Sequence, residues 1–481
     1  MLSASAFHAY YQPSLCRRRL WLDAHCPQRR APLTEFEQVL MRQGLEHERR
    51  HLATLPEWER PEYDPGDLPA GAEATKRLLA KQVPVIYQGV LISPDSMLMG
   101  IPDFLIRQEG GYLVRDVKLS RHTETHPEIA AQLGIYAALL ESTGYPCTGR
   151  QVVLGDCRLE ELPAHDVSPL VAEVRGVLAL HEEPEDAVGW SKCSTCGFFG
   201  YCWDRSLQAH DPAVVPEICQ PMRHALAARG LRRYDDLAGL GADDLAPIPM
   251  LVGGKQQRIG YKRAAKALRQ VRVLMSGRRE IIAPLPPLPQ PPVAYFDIES
   301  NPWDEGMETR VYLWGLLLDR GNGDCQYWGE VAPAGVEGER LAWHSFAAHA
   351  GNLLAEFGDI PFIHYANYER TWVRNYIERF GDEEGTATRL LGLLWDMQQE
   401  VVSKCLCLPV HSYGLKHVEQ EAGFVRRQQD FGSLWSIGRY HAYLETVEAQ
   451  AREAIRRELL LYNEEDCLAM RHVLNWAGTL A

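Results

Sequence analysis

Residues 99–136 read MGIPDFLIRQEGGYLVRDVKLSRHTETHPEIAAQLGIY, and the fold of the first half of the chain turns on them. Asp103 sits in one apolar run; thirteen residues on, Asp116 and Lys118 close a second. Alternate strand residues share a face, so Asp116 and Lys118 point the same way while Val117 points into the core. A helix-like segment follows, on which Gln132 and Tyr136, four apart, share a face. An Asp-x-Lys at a strand end, taken alone, is a solvated edge. With a second acid and the helix pair it becomes a set suited to phosphodiester hydrolysis. Two acids can hold a divalent cation that polarises the phosphate and acidifies a water. The lysine orients that water or stabilises developing charge.

Outward from this stretch the pattern predicts strands over 83–91, 97–106 and 112–118, a helix over 129–142, a strand over 151–154 and a helix over 169–180. Residues 1 to about 60 read as helical, basic and aromatic. This order, with Asp103, Asp116, Lys118, Gln132 and Tyr136, resembles the RecB-like PD-(D/E)XK nucleases. That family carries a histidine after a glycine on an early helix, and Gly44-Leu45-Glu46-His47 fits. The resemblance implies that His47, Asp103 and Asp116 bind Mg2+ or Mn2+, that Lys118 assists the water, and that Gln132 and Tyr136 position the strand.

The 481 residues exceed what one core organises, so two or three domains are expected. No run approaches the roughly 18 apolar residues of a membrane span, and the N-terminal stretch has no signal-peptide layout; the expectation is a soluble, cytoplasmic protein. The net charge of −14 does not by itself favour nucleic-acid binding. Charge distribution matters more, and basic groups recur at 17–19, 29–30, 49–50, 255–269 and 426–427, each of which singly reads as a solvated face.

Twelve cysteines in a chain of this length do not suggest a disulfide scaffold. Cys193, Cys196 and Cys202, in KCSTCGFFGYCW, have the C-x2-C-x5-C spacing of a metal site that lacks its fourth ligand. The spacing leaves zinc and an iron–sulfur cluster both open. A subset of RecB-like nucleases, which includes CRISPR adaptation and AddB-type nucleases, holds a 4Fe-4S cluster on one cysteine before the core and three after it. Resemblance to that subset implies the ligand set Cys16, Cys193, Cys196 and Cys202, with Cys26 as the competing first ligand.

Residues 216–281 alternate short helices with glycines and resemble a helix-hairpin-helix module, which grips phosphates with helix N-terminal amides; Lys255 and Lys262 are its candidate nucleic-acid contacts. Residues 282–292, IAPLPPLPQPP, read as a semi-rigid proline-rich linker. Residues 293–481 open on VAYFDIES, an apolar strand with Asp297 and Glu299 on one face, and close on a long helix with Tyr462 and Asp466 one turn apart. This resembles the DEDD exonucleases of the RNase H-like fold, tyrosine subclass. The resemblance implies that Asp297, Glu299, Glu369 and Asp466 hold two metals while Tyr462 orients the attacking water. Glu369 departs from that family's usual aspartate. Asp396 reads as a further site acid or a strand-end cap, and Lys416, in SYGLKHVE, as a nucleic-acid contact or a surface lysine.

The expected fold is α/β and multidomain: a PD-(D/E)XK restriction-endonuclease-like domain with an iron–sulfur cluster (1–215), a small helical module (216–281), the linker, and an RNase H-like domain (293–481). The order resembles a family of bacterial RecB-like putative nucleases found beside or fused to a superfamily 1 helicase. It implies a metal-dependent nuclease acting on single-stranded DNA ends, with a second, 3′-5′ exonuclease-type site. The alternatives are a non-catalytic nucleic-acid-binding scaffold and an RNA-processing exonuclease. The chain has no Walker A motif, so unwinding would fall to a helicase partner.

Overall fold

Two mixed sheets organise the chain, and a small unit lies between them in sequence. A computed structural model describes residues 2–11, 15–94, 97–301, 309–428 and 432–480. The first sheet follows helix α1 (Glu35–Leu52), which starts at a capping box: the Thr34 hydroxyl accepts from the Glu37 amide (3.1 Å) and the Glu37 carboxylate accepts from the Thr34 amide (2.8 Å). Its six strands lie side by side in chain order: β1 (Trp58–Glu59), β2 (Val85–Tyr87), β3 (Phe104–Gln108), β4 (Gly111–Val117), β5 (Cys147–Val153) and β6 (Leu159–Glu161). The β2–β3–β4 run is an antiparallel meander, and β5 returns parallel to β4 after helix α2 (Pro127–Ser142). Leu133, Ile135 and Leu140 of α2 pack on Val114 and Val152 to form this core.

Two expected strands are broken, and the breaks shape the site. The stretch 83–91 stops at Gln88, whose φ of 51° ends an extended chain. The stretch 97–106 divides at Pro102, which has no N–H for a ladder. Its first part, Leu98–Gly100, pairs instead with Leu2–Ser3 and Leu91–Ser93 in a separate small sheet. Gly100 is required there: a Cβ would lie 2.6 Å from Cε1 of Tyr136.

The middle segment is not purely helical. Met250, Leu251 and the residues up to Arg258 form a β-hairpin, Pro249–Val252 against Lys255–Arg258, turned by Gly253 and Gly254 at φ of 54° and 76°. Part of the segment expected to be a helix-hairpin-helix module is thus a strand turn. Lys255 lies exposed on that hairpin, and Lys262 is exposed in the first turn of α3 (Tyr261–Ser276). Leu226, Leu245, Ile248 and Leu268 supply a separate apolar core.

Residues 282–292 do not stand off as a spacer. Glu280–Ile281 pairs with Leu406–Cys407, the Ile282 amide donates to the Cys405 carbonyl (2.7 Å), and Ala283, Leu285 and Leu288 pack on the C-terminal core. Proline removes donors but leaves an apolar, low-entropy ribbon that packs well.

The second sheet contains β7 (Val293–Asn301), β8 (Arg310–Gly321), β9 (Asp324–Val331), β10 (Phe362–His364) and β11 (Leu394–Asp396), in spatial order β9-β8-β7-β10-β11. The β7–β8–β9 pairs are antiparallel, and β10 and β11 run parallel to β7. Ala294, Phe296 and Ile298 face a core shared with helix α4 (Gly335–Phe357). Val293 and Tyr295 face the opposite core, which contains Cys467, Met470 and Val473 of the long helix Ala449–Gly478. The period of two therefore turns Asp297 and Glu299 toward that helix.

Gln270 of α3, 1% exposed, ties the middle unit to the C-terminal one. Its amide donates to the Leu408 carbonyl (2.7 Å), and its carbonyl accepts from the Tyr413 hydroxyl (2.9 Å). Gln270→Leu keeps volume and leaves the Leu408 carbonyl its bond from the Val410 amide (2.8 Å), but removes the acceptor of the buried Tyr413 hydroxyl. It should lower the chemical-denaturation midpoint by the equivalent of about 1–3 kcal/mol; an unchanged midpoint would show that these groups find other partners.

Candidate active sites and a cysteine cavity

The C-terminal acids converge. Helices α5 (Tyr368–Phe380), α7 (Ser433–Glu445) and α8 (Ala449–Gly478) pack on β7, and α6 (Leu415–Glu421) packs on α8. Asp297, Glu299 and Asp466 each bring a carboxylate oxygen within 4.8 Å of the others, the one such group of three His, Cys, Asp or Glu ligands among the described residues. Burial comes first among the causes that push Asp297 and Glu299 well above the usual carboxylate range, followed by the neighbouring Asp466. Such a site suits a hard divalent cation.

Glu369 lies outside the 4.8 Å triad, although its charge reaches both Asp297 and Glu299. One of its oxygens, Oε2, is buried without a hydrogen bond; His364 Nδ1, 3.3 Å away, donates instead to the Ala366 carbonyl (2.5 Å). A buried carboxylate oxygen without a hydrogen bond, near an acid triad, is chemically suited to a hard cation. Asp396 acts as a cap, accepting from the amides of Ala366 (3.2 Å) and Gln399 (3.0 Å).

Tyr462 is buried, and burial together with Glu299 and Asp466 raises its pKa far above the usual phenol value. Lys416 is not a stray surface lysine: its Nζ lies 3.3 Å from the Tyr462 hydroxyl and 5.0 Å from the ring centre. Three groups escaped the sequence reading. Asn463 donates to Asp297 Oδ2 (2.6 Å) and accepts from the Tyr327 hydroxyl (2.8 Å). Gly315 makes room for it, since a Cβ there would lie 1.6 Å from the Asn463 carbonyl oxygen. Arg426 and Glu419 bond to each other, and Arg426 reaches Asp466. Asn463 was detectable, being three residues before Asp466 on one helix face; the Arg426–Glu419 pair has no such local signal.

The N-terminal set also gathers. Asp103, just before β3, accepts from the Val117 amide (2.7 Å) and hydrogen-bonds Asp116; burial, then Asp116, holds its carboxyl well above the usual range. Lys118 Nζ donates to Asp116 Oδ2 (2.5 Å). Gln132 donates to the Tyr136 hydroxyl (2.8 Å), and Tyr136 lies in the field of both acids. His47 departs from expectation: its Nε2 is committed to the Leu154 carbonyl (2.8 Å), and the charges reaching it are those of Arg50 and Asp156. Its buried neighbour Glu48 is the helix acid whose charge reaches Asp103 and Lys118. Adjacent helix residues point about 100° apart, so both cannot face the pair.

Cys16, Cys193, Cys196 and Cys202 line one cavity with Asp186 and Phe198; Cys26 is not among its lining residues. Burial pushes the Cys16 thiol up to about 12 and that of Cys202 to about 11. No three of the sulfurs lie within 4.8 Å of one another. Four thiolates on one zinc ion would stand about 3.8 Å apart, given Zn–S bonds of about 2.3 Å.

A family model described as RNase_H superfamily matches residues 294–478. No curated protein matches the chain. The C-terminal part is thus an RNase H-like domain, a fold whose members are generally metal-using nucleases. Among the described residues no helix is long and apolar enough to cross a membrane.

The raised carboxyls have a thermodynamic sign. Folded Asp297 and Glu299 keep protons to higher pH than unfolded carboxylates. The metal-free fold therefore loses stability as pH rises from about 4 through their folded values. A cation among them favours the charged forms. Mg2+ should raise the melting temperature more at about pH 8 than at about pH 5.5, and Asp297→Asn should shrink that difference. Equal Mg2+ shifts at both pH values would contradict the assignment.

Proposed function

We propose that the chain is a metal-dependent nuclease that hydrolyses phosphodiester bonds of single-stranded DNA ends, with a RecB-like PD-(D/E)XK site near the N-terminus and a 3′-5′ exonuclease-type site near the C-terminus. The observation that carries this is the convergence of Asp297, Glu299 and Asp466 within 4.8 Å, inside the region matched by the RNase H superfamily. The N-terminal half of the proposal is supported by a three-strand meander followed by a helix and a parallel strand, with Asp103, Asp116 and Lys118 at the meander's end.

In the C-terminal site Asp297, Glu299 and Asp466 would hold Mg2+ or Mn2+, with Glu369 contributing the oxygen that makes no hydrogen bond. Bound divalent cations supply Lewis-acid activation of water and neutralise charge on the phosphate. The protein's own groups set the geometry. Asn463 fixes the rotation of Asp297, leaving its other oxygen for a cation. Tyr462, neutral by its burial, accepts from Lys416 and so directs its own proton outward as a donor to the attacking water. Lys416 adds positive charge beside the acids, where phosphate charge develops. In the N-terminal site Asp116 and Asp103 would hold the cation, Glu48, whose charge reaches Asp103 and Lys118, would be the third ligand in place of His47, and Lys118 would orient the water. Lys255 and Lys262 would contact the nucleic-acid backbone.

We also propose that Cys16, Cys193, Cys196 and Cys202 hold a 4Fe-4S cluster. Supporting this, the four sulfurs line one cavity, in the one-before, three-after arrangement that the iron–sulfur subset uses. Held there, the cluster would tie the Arg17–His25 helix to the end of the domain. A superfamily 1 helicase is the proposed partner for unwinding.

The test is an end-labelled assay on DNA and RNA single strands of one sequence, with Mn2+, using protein purified without oxygen. DNA should be shortened. Lys118→Ala and Asp297→Ala should each remove one cleavage pattern by about 100-fold or more, and the double variant both. Preference for RNA, lost in Asp297→Ala alone, would make the chain an RNA-processing exonuclease. No cleavage of either strand, with nucleic-acid binding retained, would leave the scaffold reading.

A further inference from the structure

Helix α6 presents Lys416 and Glu419 on one face, three residues apart. Lys416 goes to Tyr462; Glu419 goes elsewhere. It accepts a two-pronged hydrogen bond from Arg426, Nε to Oε1 at 2.5 Å and Nη2 to Oε2 at 2.7 Å. The same Nη2 donates to Asp466 Oδ1 at 2.5 Å. All three side chains are nearly buried, at 3% for Glu419, 12% for Arg426 and 11% for Asp466. Asp466 Oδ2 has no hydrogen bond among the described residues.

The chain around Arg426 is itself pinned. Buried Glu465 accepts from the amides of Arg427 (2.5 Å) and Gln428 (3.0 Å), and Glu464 accepts from the Arg427 guanidinium (3.0 Å). The residues between Tyr462 and Asp466 thus divide the positioning among them. Asn463 holds Asp297, and Glu464 and Glu465 hold the segment that carries Arg426. Glu419 neutralises Arg426, so the pair brings direction to Asp466 without cancelling the negative charge that attracts cations.

We propose that Glu419 and Arg426 are a positioning pair for Asp466, which fixes its carboxylate so that Oδ2 faces the cation site. This rests on the reading of Asp297, Glu299 and Asp466 as a divalent-cation site. Arg426 is a positioning residue here, distinct from a group that grips the scissile phosphate.

The test is Mn2+ binding to the full chain, followed by the spectroscopic signal of free Mn2+, in an Asp116→Asn background that silences the N-terminal site. Arg426→Lys keeps the charge and removes the fork. It should raise the Mn2+ concentration for half-binding by about 10–100-fold, while kcat at saturating Mn2+ returns to near the parent value. Glu419→Gln should shift binding in the same direction and decides the matter if Arg426→Lys does not fold. Unchanged Mn2+ binding with a lowered kcat would assign Arg426 to the phosphate and overturn the proposal. Tighter binding would make Arg426 a competitor of the cation and also overturn it. Asp466→Asn is the control: if it binds Mn2+ like its parent, the metal-site reading falls and the positioning pair with it. If Asp466→Asn loses the ion but Arg426→Lys and Glu419→Gln do not, the pair alone falls.

Discussion

Carboxylates forced together out of water are the constraint around which the C-terminal domain is arranged. Asp297, Glu299 and Asp466 repel one another, and burial raises the cost of charging each of them. A fold driven only by apolar packing would splay them. Here β7 is the central strand of the sheet and α8 packs on it, so the acids are carried by an interior strand and a 30-residue helix that share a core. Neighbouring groups then offset the repulsion locally: Asn463 on Asp297, Arg426 with its own counter-charge on Asp466, and Lys416 near Glu299. Divalent cations of the kind RNase H-like nucleases use would complete this compensation.

The N-terminal acids meet the same constraint with fewer parts. Asp103 and Asp116 share a hydrogen bond, and Lys118 lies on Asp116. The break at Pro102 matters as much as the strands: just beyond it, Asp103 gives its carbonyl to the Gln88 amide (2.8 Å) and its carboxylate to the Val117 amide. Gly100 then admits the Tyr136 ring over the same spot. A break in regular structure that aims an acid is a recurring way to build a site.

The units are in contact. Phe36 of α1 packs with Tyr440 and Ile437 of α7, and Trp190, at the start of the short helix that carries Cys193, meets His417 edge-on at 4.4 Å. His417 is the neighbour of Lys416, so the cysteine cavity and the C-terminal site are linked by one aromatic contact. Gln270 joins the middle unit to the same region, and the proline-rich segment lies along the C-terminal core.

Periodicity alone placed most of this. The alternation in VAYFDIES set Asp297 and Glu299 on one face, and the one-turn spacing set Tyr462 with Asp466, because both patterns depend only on local backbone geometry. The cysteine spacing and the Asp116–Lys118 pair were legible for the same reason. What tertiary structure decided were the relations between distant segments. It gave His47 to the Leu154 carbonyl, brought the charge of Glu48 within reach of Asp103, made Gly253 and Gly254 a strand turn, laid the proline-rich stretch on a core, and brought Arg426 and Glu419 to Asp466. A charged side chain carries no local mark of its partner. Its pairing is settled by which segments packing brings together out of water, and neither the rotation of a helix nor the path of a loop is written in the spacing of the residues along it.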